Sequence, residues 1–205
     1  MLALQGAFGL WSTSPRALTI VDEVLGGALT ALVTARVFGD VAKLTSAQIA
    51  ERAFERSWAV IVLCFGIDLI ALVGMSGLEA GGIVNTLLAS GVLLMAATLM
   101  FAPVDATISD EHWARIALSA LSRSILAGWR SDVFARALIV LALNEIAPLW
   151  LVLLLQSALA ALHVGQPALW ASGLGTVLVV PPVWTFATLA YLDAIRYEPK
   201  RTCND

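Results

Sequence analysis

The stretch Val133–Leu162, VFARALIVLALNEIAPLWLVLLLQSALAAL, has only Arg136 and Glu145 as formal charges in an otherwise apolar run. A bilayer's hydrocarbon core is about 30 Å thick and takes about 20 apolar residues of helix to cross. Soluble cores do not use apolar blocks of that length. Inside the run, LNEIAPLW (Leu143–Trp150) places an amide, a carboxylate and a proline where hydrocarbon is expected. The length of the run points to a membrane fold. Its polar centre raises the question of function.

Four more runs of this kind flank it, giving spans at about 17–38, 58–75, 80–104, 133–162 and 168–195. In lipid each must be helical, because unpaired backbone groups find no water there. Of the 205 residues, 60% are hydrophobic and 13% charged, too little charge to cover a soluble domain. The alternating ten-residue segments of a transmembrane barrel do not occur. The expected fold is all-α: residues 1–205 form a single integral membrane domain, a polytopic bundle of five transmembrane spans. The start, MLALQGAFGLW, has no basic leader and no small-residue cleavage site after it, so no cleavable signal is expected.

Basic residues alternate with the spans. The first connection holds Arg36, Lys43, Arg52 and Arg56, and the third holds Arg115, Arg123, Arg130 and Arg136. The tail holds Arg196, Lys200 and Arg201, while the second and fourth connections hold none. Eleven of the twelve Lys and Arg thus share one face, with Arg16 on the other. The positive-inside rule then puts the N-terminus outside and the C-terminus in the cytoplasm. In the first connection, Thr45 with Gln48 reads as a capping box whose helix continues into the second span. In the third, Ser109 reads as the N-cap of an amphipathic helix over about 110–127. Trp113, Ile116, Ala117, Leu121 and Ile125 share one face, and Arg115, Ser119, Ser122 and Arg123 the other. Such a helix either lies in the cytoplasmic interface or packs under the bundle.

The candidate polar site is Glu145, Asn144 and Asp68. Pro148 cannot donate to the carbonyl of Asn144, so a kink would free that oxygen beside the amide and the carboxylate. A charge at mid-membrane costs about 2.5–3.5 kcal/mol, so Glu145 is neutral or partnered, by another span or by an arginine such as Arg136. Asp68 lies at a similar depth in its own span, and two such acids would share a proton if they met. Pro181 and Pro182 are further kink candidates. Two rows of small residues, Gly27–Ala31–Ala35 and Gly82–Thr86–Ser90, are candidate helix-packing faces.

Other chemistry is poorly supported. Cys64 and Cys203 are too few for a disulfide framework or a metal site, and His112 stands alone, so no cofactor, metal or catalytic residue is expected. GMSG (Gly74–Gly77), with His163, suggests the dyad of a rhomboid-type protease, but the flanking motifs are missing. No basic stripe outside the membrane flanks suggests nucleic acid.

GGALTALVTARVFGD, FAPVDATISDEHWARIALSALSRSILAGWR and PPVWTFATLAYLDAIRYEP, the last closing on Tyr191, Asp193 and Arg196, give the chain a family resemblance over about residues 20–200. It resembles the bacterial glycerophosphoryl diester phosphodiesterase membrane-domain and YciC-like integral membrane superfamily. Members usually have six spans and an internal N-terminus, so this chain looks like one without the first span. The resemblance implies no catalytic residue in this domain. The first expectation for function is a non-enzymatic membrane subunit or scaffold that packs on lipids and other membrane proteins. The second is a small transporter or proton-coupled carrier using Glu145 and Asp68.

Overall fold

Each long apolar run is helical in the computed structural model, which describes residues 15–79, 81–112, 115–165 and 167–195, without the side chains of 15–23, 149, 168 and 169. Expectations resting on the N-terminal stretch, on the side chains of Arg16 and Trp113 and on the tail from Arg196 lie outside the described residues. The helices are α1 Pro15–Ala42, α2 Ser46–Glu79, α3 Ile83–Leu99, α4 Ala102–Ile108, α5 Ile116–Gly128, α6 Ser131–Ala161 and α7 Pro167–Ala194. No strand occurs among the described residues. Five stretches are long and apolar enough to cross a bilayer: Val24–Ala42, Ser46–Glu79, Ile83–Ile108, Ser131–Ala161 and Trp170–Ala194. The protein is an all-α, multi-pass membrane bundle.

Local chemistry sets the helix ends. The Thr45 N–H donates to Gln48 Oε1 (2.9 Å) and the Gln48 N–H to Thr45 Oγ1 (3.4 Å), so the capping box forms and α2 runs unbroken into its span. Lys43 (φ 59°) and His163 (φ 54°) hold the left-handed position just past α1 and α6. The next N–H in each case reaches back, Leu44 to the Gly39 carbonyl (2.8 Å) and Val164 to that of Leu159 (3.0 Å), the Schellman closure of a helix end. Between α2 and α3, Gly81 (φ 70°) and Gly82 (φ 83°) make the turn in backbone that side chains avoid.

Small residues let α1 and α2 touch. Ala31 and Ala35 are fully buried, and a Cβ at Gly27 would lie 2.8 Å from the Ile61 Cα, so the first small-residue row packs as expected. The second does not. Gly82, Thr86 and Ser90 are exposed, and the Thr86 and Ser90 hydroxyls donate to their own helix, to the Gly82 (3.0 Å) and Thr86 (2.7 Å) carbonyls. The contact of α2 with α3 is made instead at Gly74 and Gly77 against Leu93 and Ala89. GMSG is therefore a packing element, and the Ser76 hydroxyl donates to the Val73 carbonyl (2.9 Å).

Pro148 lies within the continuous helix α6, and Pro181 and Pro182 within α7. In the third span α3 gives way to α4 at Met100–Phe101, just ahead of Pro103. Every residue from Ala102 to Thr107 is buried, with α4 packed against α1, α2, α5 and α7. The amphipathic helix, in turn, does not begin at Ser109. Residues 109–112 are not helical, and the Ser109 Oγ accepts the Glu111 N–H (3.2 Å) rather than capping a helix that starts there. Asp110 and Glu111 are held by arginines from outside the segment (below), which competes with a first helical turn. From Ile116 onward α5 packs under the bundle: Ile116, Ala120 and Ser124 are buried, and the Ser124 hydroxyl donates to the Thr98 carbonyl (2.7 Å).

The close approach at Gly27 gives a direct test. Gly27→Ala should lower stability in mixed-micelle denaturation by about 1–3 kcal/mol, the usual cost of overpacking. Gly91→Ala, where an added Cβ meets nothing within 4 Å, should be neutral or slightly stabilising. Equal effects at the two sites would contradict this packing.

Candidate functional site

A carboxylate on α4 cannot sit inside the bundle without partners. Asp105 is 5% exposed and has them from two other helices. Arg123 Nε of α5 donates to Oδ2 (2.7 Å), and the Tyr191 hydroxyl of α7 donates to Oδ1 (2.7 Å). Arg123 reaches further, to Glu111 Oε1 (3.2 Å), Ser109 Oγ (3.0 Å) and Ser119 Oγ (3.3 Å). Burial works against its charge. The hydrogen bond and attraction from Asp105, then those from Glu111, outweigh it and hold the guanidinium above its ordinary value. Phe101, beside the α3–α4 junction, packs on the Tyr191 ring with centroids 5.4 Å apart. One carboxylate thus ties α4, α5 and α7 together.

The other arginines at this end act alike. Arg52 Nη1 donates to the Thr107 (3.3 Å) and Ile108 (2.8 Å) carbonyls and Nη2 to Asp110 (2.7 Å), while its guanidinium lies 5.2 Å from the Phe38 ring centroid. Arg56 donates to the Glu111 carbonyl (3.0 Å). Arg130 donates to the Ala194 carbonyl (3.0 Å) and Arg136 to that of Ala190 (3.2 Å). The last carbonyls of α4 and α7 have no partner within their own helices, and cations there also suit the helix dipole. Arg136, a possible partner for Glu145, turns to the Asp193 carboxylate. The like-charged pairs of α2 separate by face, with Arg52 and Arg56 on the 107–111 segment and Glu51 and Glu55 exposed.

The candidate residues of the membrane core lie further along the bundle. A cavity of about 140 Å³ opens between α1, α2, α6, α7 and Met100 at the α3–α4 junction. Asp68 and Asn144 both line it, with Thr30, Thr176, Pro148 and Trp184. Asp68 and Asn144 therefore share one space, and Glu145, the acid expected opposite Asp68, is not in its wall. Glu145, the next residue, lines an adjoining groove with Pro148, Val152 and Leu153 and accepts the Asn144 Nδ2–H (3.3 Å). Pro181 and Pro182 are not in the cavity wall, but their neighbours Val179 and Val180 are, as is Gly27 of the small-residue row. Cys64 also lines the cavity. No group of three or more His, Cys, Asp or Glu suited to a metal ion occurs among the described residues.

Asp105 was not among the candidates, and Arg123 was placed on the polar side of an interfacial helix. The signals available were an acid within PVDAT at the end of a span and a tyrosine near the end of the last one. Nothing in their spacing joins them. No protein-family model, no curated protein and no solved structure matches the chain.

The ionic knot is testable by a double-mutant cycle. Asp105→Ala should cost about 2–4 kcal/mol, because it leaves Arg123 and the Tyr191 hydroxyl without their carboxylate. Tyr191→Phe should cost less. Asp105→Ala and Arg123→Ala together should fall short of their sum by about 1–3 kcal/mol in mixed-micelle denaturation. Additive effects would mean the two residues do not act as a pair.

Proposed function

We propose that the chain is a small multi-pass carrier that holds a polar solute inside its bundle. The observation that carries this is the cavity on which Asp68 and Asn144 converge, at the level of Pro148 and against Thr30 and Thr176. Polar and ionisable groups are expensive at that depth and mark solute or ion paths when they face an internal space. Sites of this kind sit near the bilayer midplane. Glu145, hydrogen-bonded to Asn144 in the adjoining groove, extends the polar path towards the bundle surface. On this reading the basic end faces the cytoplasm of a bacterial inner membrane and the N-terminus is outside, as the distribution of arginine and lysine favours.

A second reading, a membrane subunit or scaffold, draws on a different observation. The Gly82–Thr86–Ser90 row is exposed beside Ile83, Val84, Leu87 and Leu88, a surface on which another membrane helix would fit closely. Only 12% of the apolar window of α6 is buried, which leaves that helix free to meet lipid or a partner subunit.

Flux through proteoliposomes separates the two. With a potassium gradient and a pH-sensitive dye inside, Asp68→Asn should slow ion-coupled flux about tenfold or more, equivalent to about 1.4 kcal/mol in the barrier. The variant should still elute as a folded, monodisperse protein. Flux unchanged in Asp68→Asn, with a co-purifying membrane protein lost in Ser90→Leu, would favour the scaffold and defeat the carrier.

A further inference from the structure

The outer side of α5 is apolar, a surface that a helix facing water would not carry. Ile116, Ala120 and Ser124 are buried, while Leu118 (73% exposed), Leu126 (70%) and Trp129 (84%) lie outside with Ile125. Leu118, Ile125 and Trp129 follow the helical repeat and form one stripe, with Leu126 beside it. Ser122 is also exposed but keeps its hydroxyl on the Ser119 carbonyl (2.8 Å), so it needs no water. On the first turns of α2, at the same end of the molecule, the exposed residues include Gln48, Glu51 and Glu55, the polar surface that suits water.

We propose that the stripe on α5 is seated in the bilayer leaflet at the basic end, with lipid acyl chains as its occupant. The depth of α5 follows from the length of α3. With 17 residues, α3 is about 25 Å long, less than the hydrocarbon thickness of about 30 Å, and tilt shortens its reach further. A span that enters from the opposite surface at Ile83 is therefore still within hydrocarbon, or at its edge, at Thr98. α5 packs on that residue: the Ser124 hydroxyl donates to its carbonyl (2.7 Å), and a Cβ at Gly128 would lie 3.2 Å from its Cβ. The outward side of the same turns, Ile125, Leu126 and Trp129, thus stands level with lipid chains. The apolar surface also continues on the neighbouring spans, where Leu94 and Met95 of α3 and Leu138 and Ile139 of α6 are exposed. Arg115 and Arg130, at the two ends of α5, are exposed. Long cationic side chains reach headgroups from such positions, and tryptophan favours the membrane–water interface. α5 is thereby held from both sides, by lipid on the outer stripe and by the bond from Arg123 to Asp105 of α4 on the inner one. This surface is separate from the cavity and serves under either the carrier or the scaffold reading.

Spin labelling of the full chain in phosphatidylcholine proteoliposomes tests this, with Cys64 and Cys203 replaced by alanine. Single cysteines are placed by Leu118→Cys, Leu126→Cys and Trp129→Cys, with Glu55→Cys as the aqueous control. Collisions with oxygen, which concentrates in lipid, should exceed those with a water-soluble nickel chelate at the three α5 positions, and the order should reverse at Glu55. Nickel exceeding oxygen at all three would put the stripe in water and overturn the proposal. Low accessibility to both reagents, the mark of a second copy covering the stripe, would overturn it as well. If the cysteine variants do not reconstitute, the wild-type chain can be photolabelled with a phosphatidylcholine carrying a diazirine in its acyl chain. Adducts are expected on the outer stripe of α5 and not at Ile116 or Ala120, and adducts on α3 and α6 with none on α5 would equally overturn the proposal.

Discussion

A carboxylate inside a hydrocarbon-embedded bundle has to be bonded on every side that water would otherwise serve. Asp105 meets that demand with one hydrogen bond from Tyr191 and one charged hydrogen bond from Arg123. Those partners sit on α7 and α5, so satisfying one side chain fixes three helices relative to one another. Removing Arg123 would leave a buried charge without its complement, a larger loss than the net worth of the pair, whereas losing the Tyr191 hydroxyl takes away one neutral hydrogen bond. The residues of α4 around Asp105 are buried against α1, α2, α5 and α7, which places the carboxylate where only such partners can serve it.

The arginines complete this arrangement. Helix ends at the membrane surface leave carbonyls unpaired, and here Arg52, Arg130 and Arg136 from neighbouring helices donate to the last turns of α4 and α7. The basic residues concentrated at one end therefore have structural work besides any part in orienting the chain. They also bind Asp110, Glu111 and Asp193, acids that a hydropathy reading passes over because they lie at the edges of spans.

What could be read without the structure was whatever is local or periodic. The number of long apolar helices, the Thr45–Gln48 cap and the close approach at Gly27 depend on residues within a few positions of each other, and the structure has five such helices, that cap and that approach. Asp68 and Asn144 were identified because polar groups are conspicuous in apolar runs, and both reach one cavity. The Asp105 knot was invisible for the opposite reason: its members come from three separate helices, and each alone passes as an ordinary residue near a membrane surface. The start of α5 was misplaced because Ser109 with two acids looks like a helix cap, whereas the acids are engaged by Arg52 and Arg123. The Gly82–Thr86–Ser90 row has the spacing of a packing face, but spacing does not say which side of a helix meets the bundle.

Two layers follow from this. At the basic end a dense ionic network holds α4 in place, and deeper in the bundle a small polar cavity remains open. Met100 lines the cavity while Phe101 packs on Tyr191, so the two layers are joined through adjacent residues of the third span. The most direct test of α4 as a buried, anchored element is cysteine labelling in intact membranes with Cys64 and Cys203 replaced by alanine. Cysteines placed singly at Ala102 and Ala106 should resist an impermeant maleimide from either side, while one at Asp110, whose side chain is 87% exposed, should react readily. Rapid labelling at Ala102 or Ala106 in a protein that still elutes as folded would contradict the buried α4 and the network built around it.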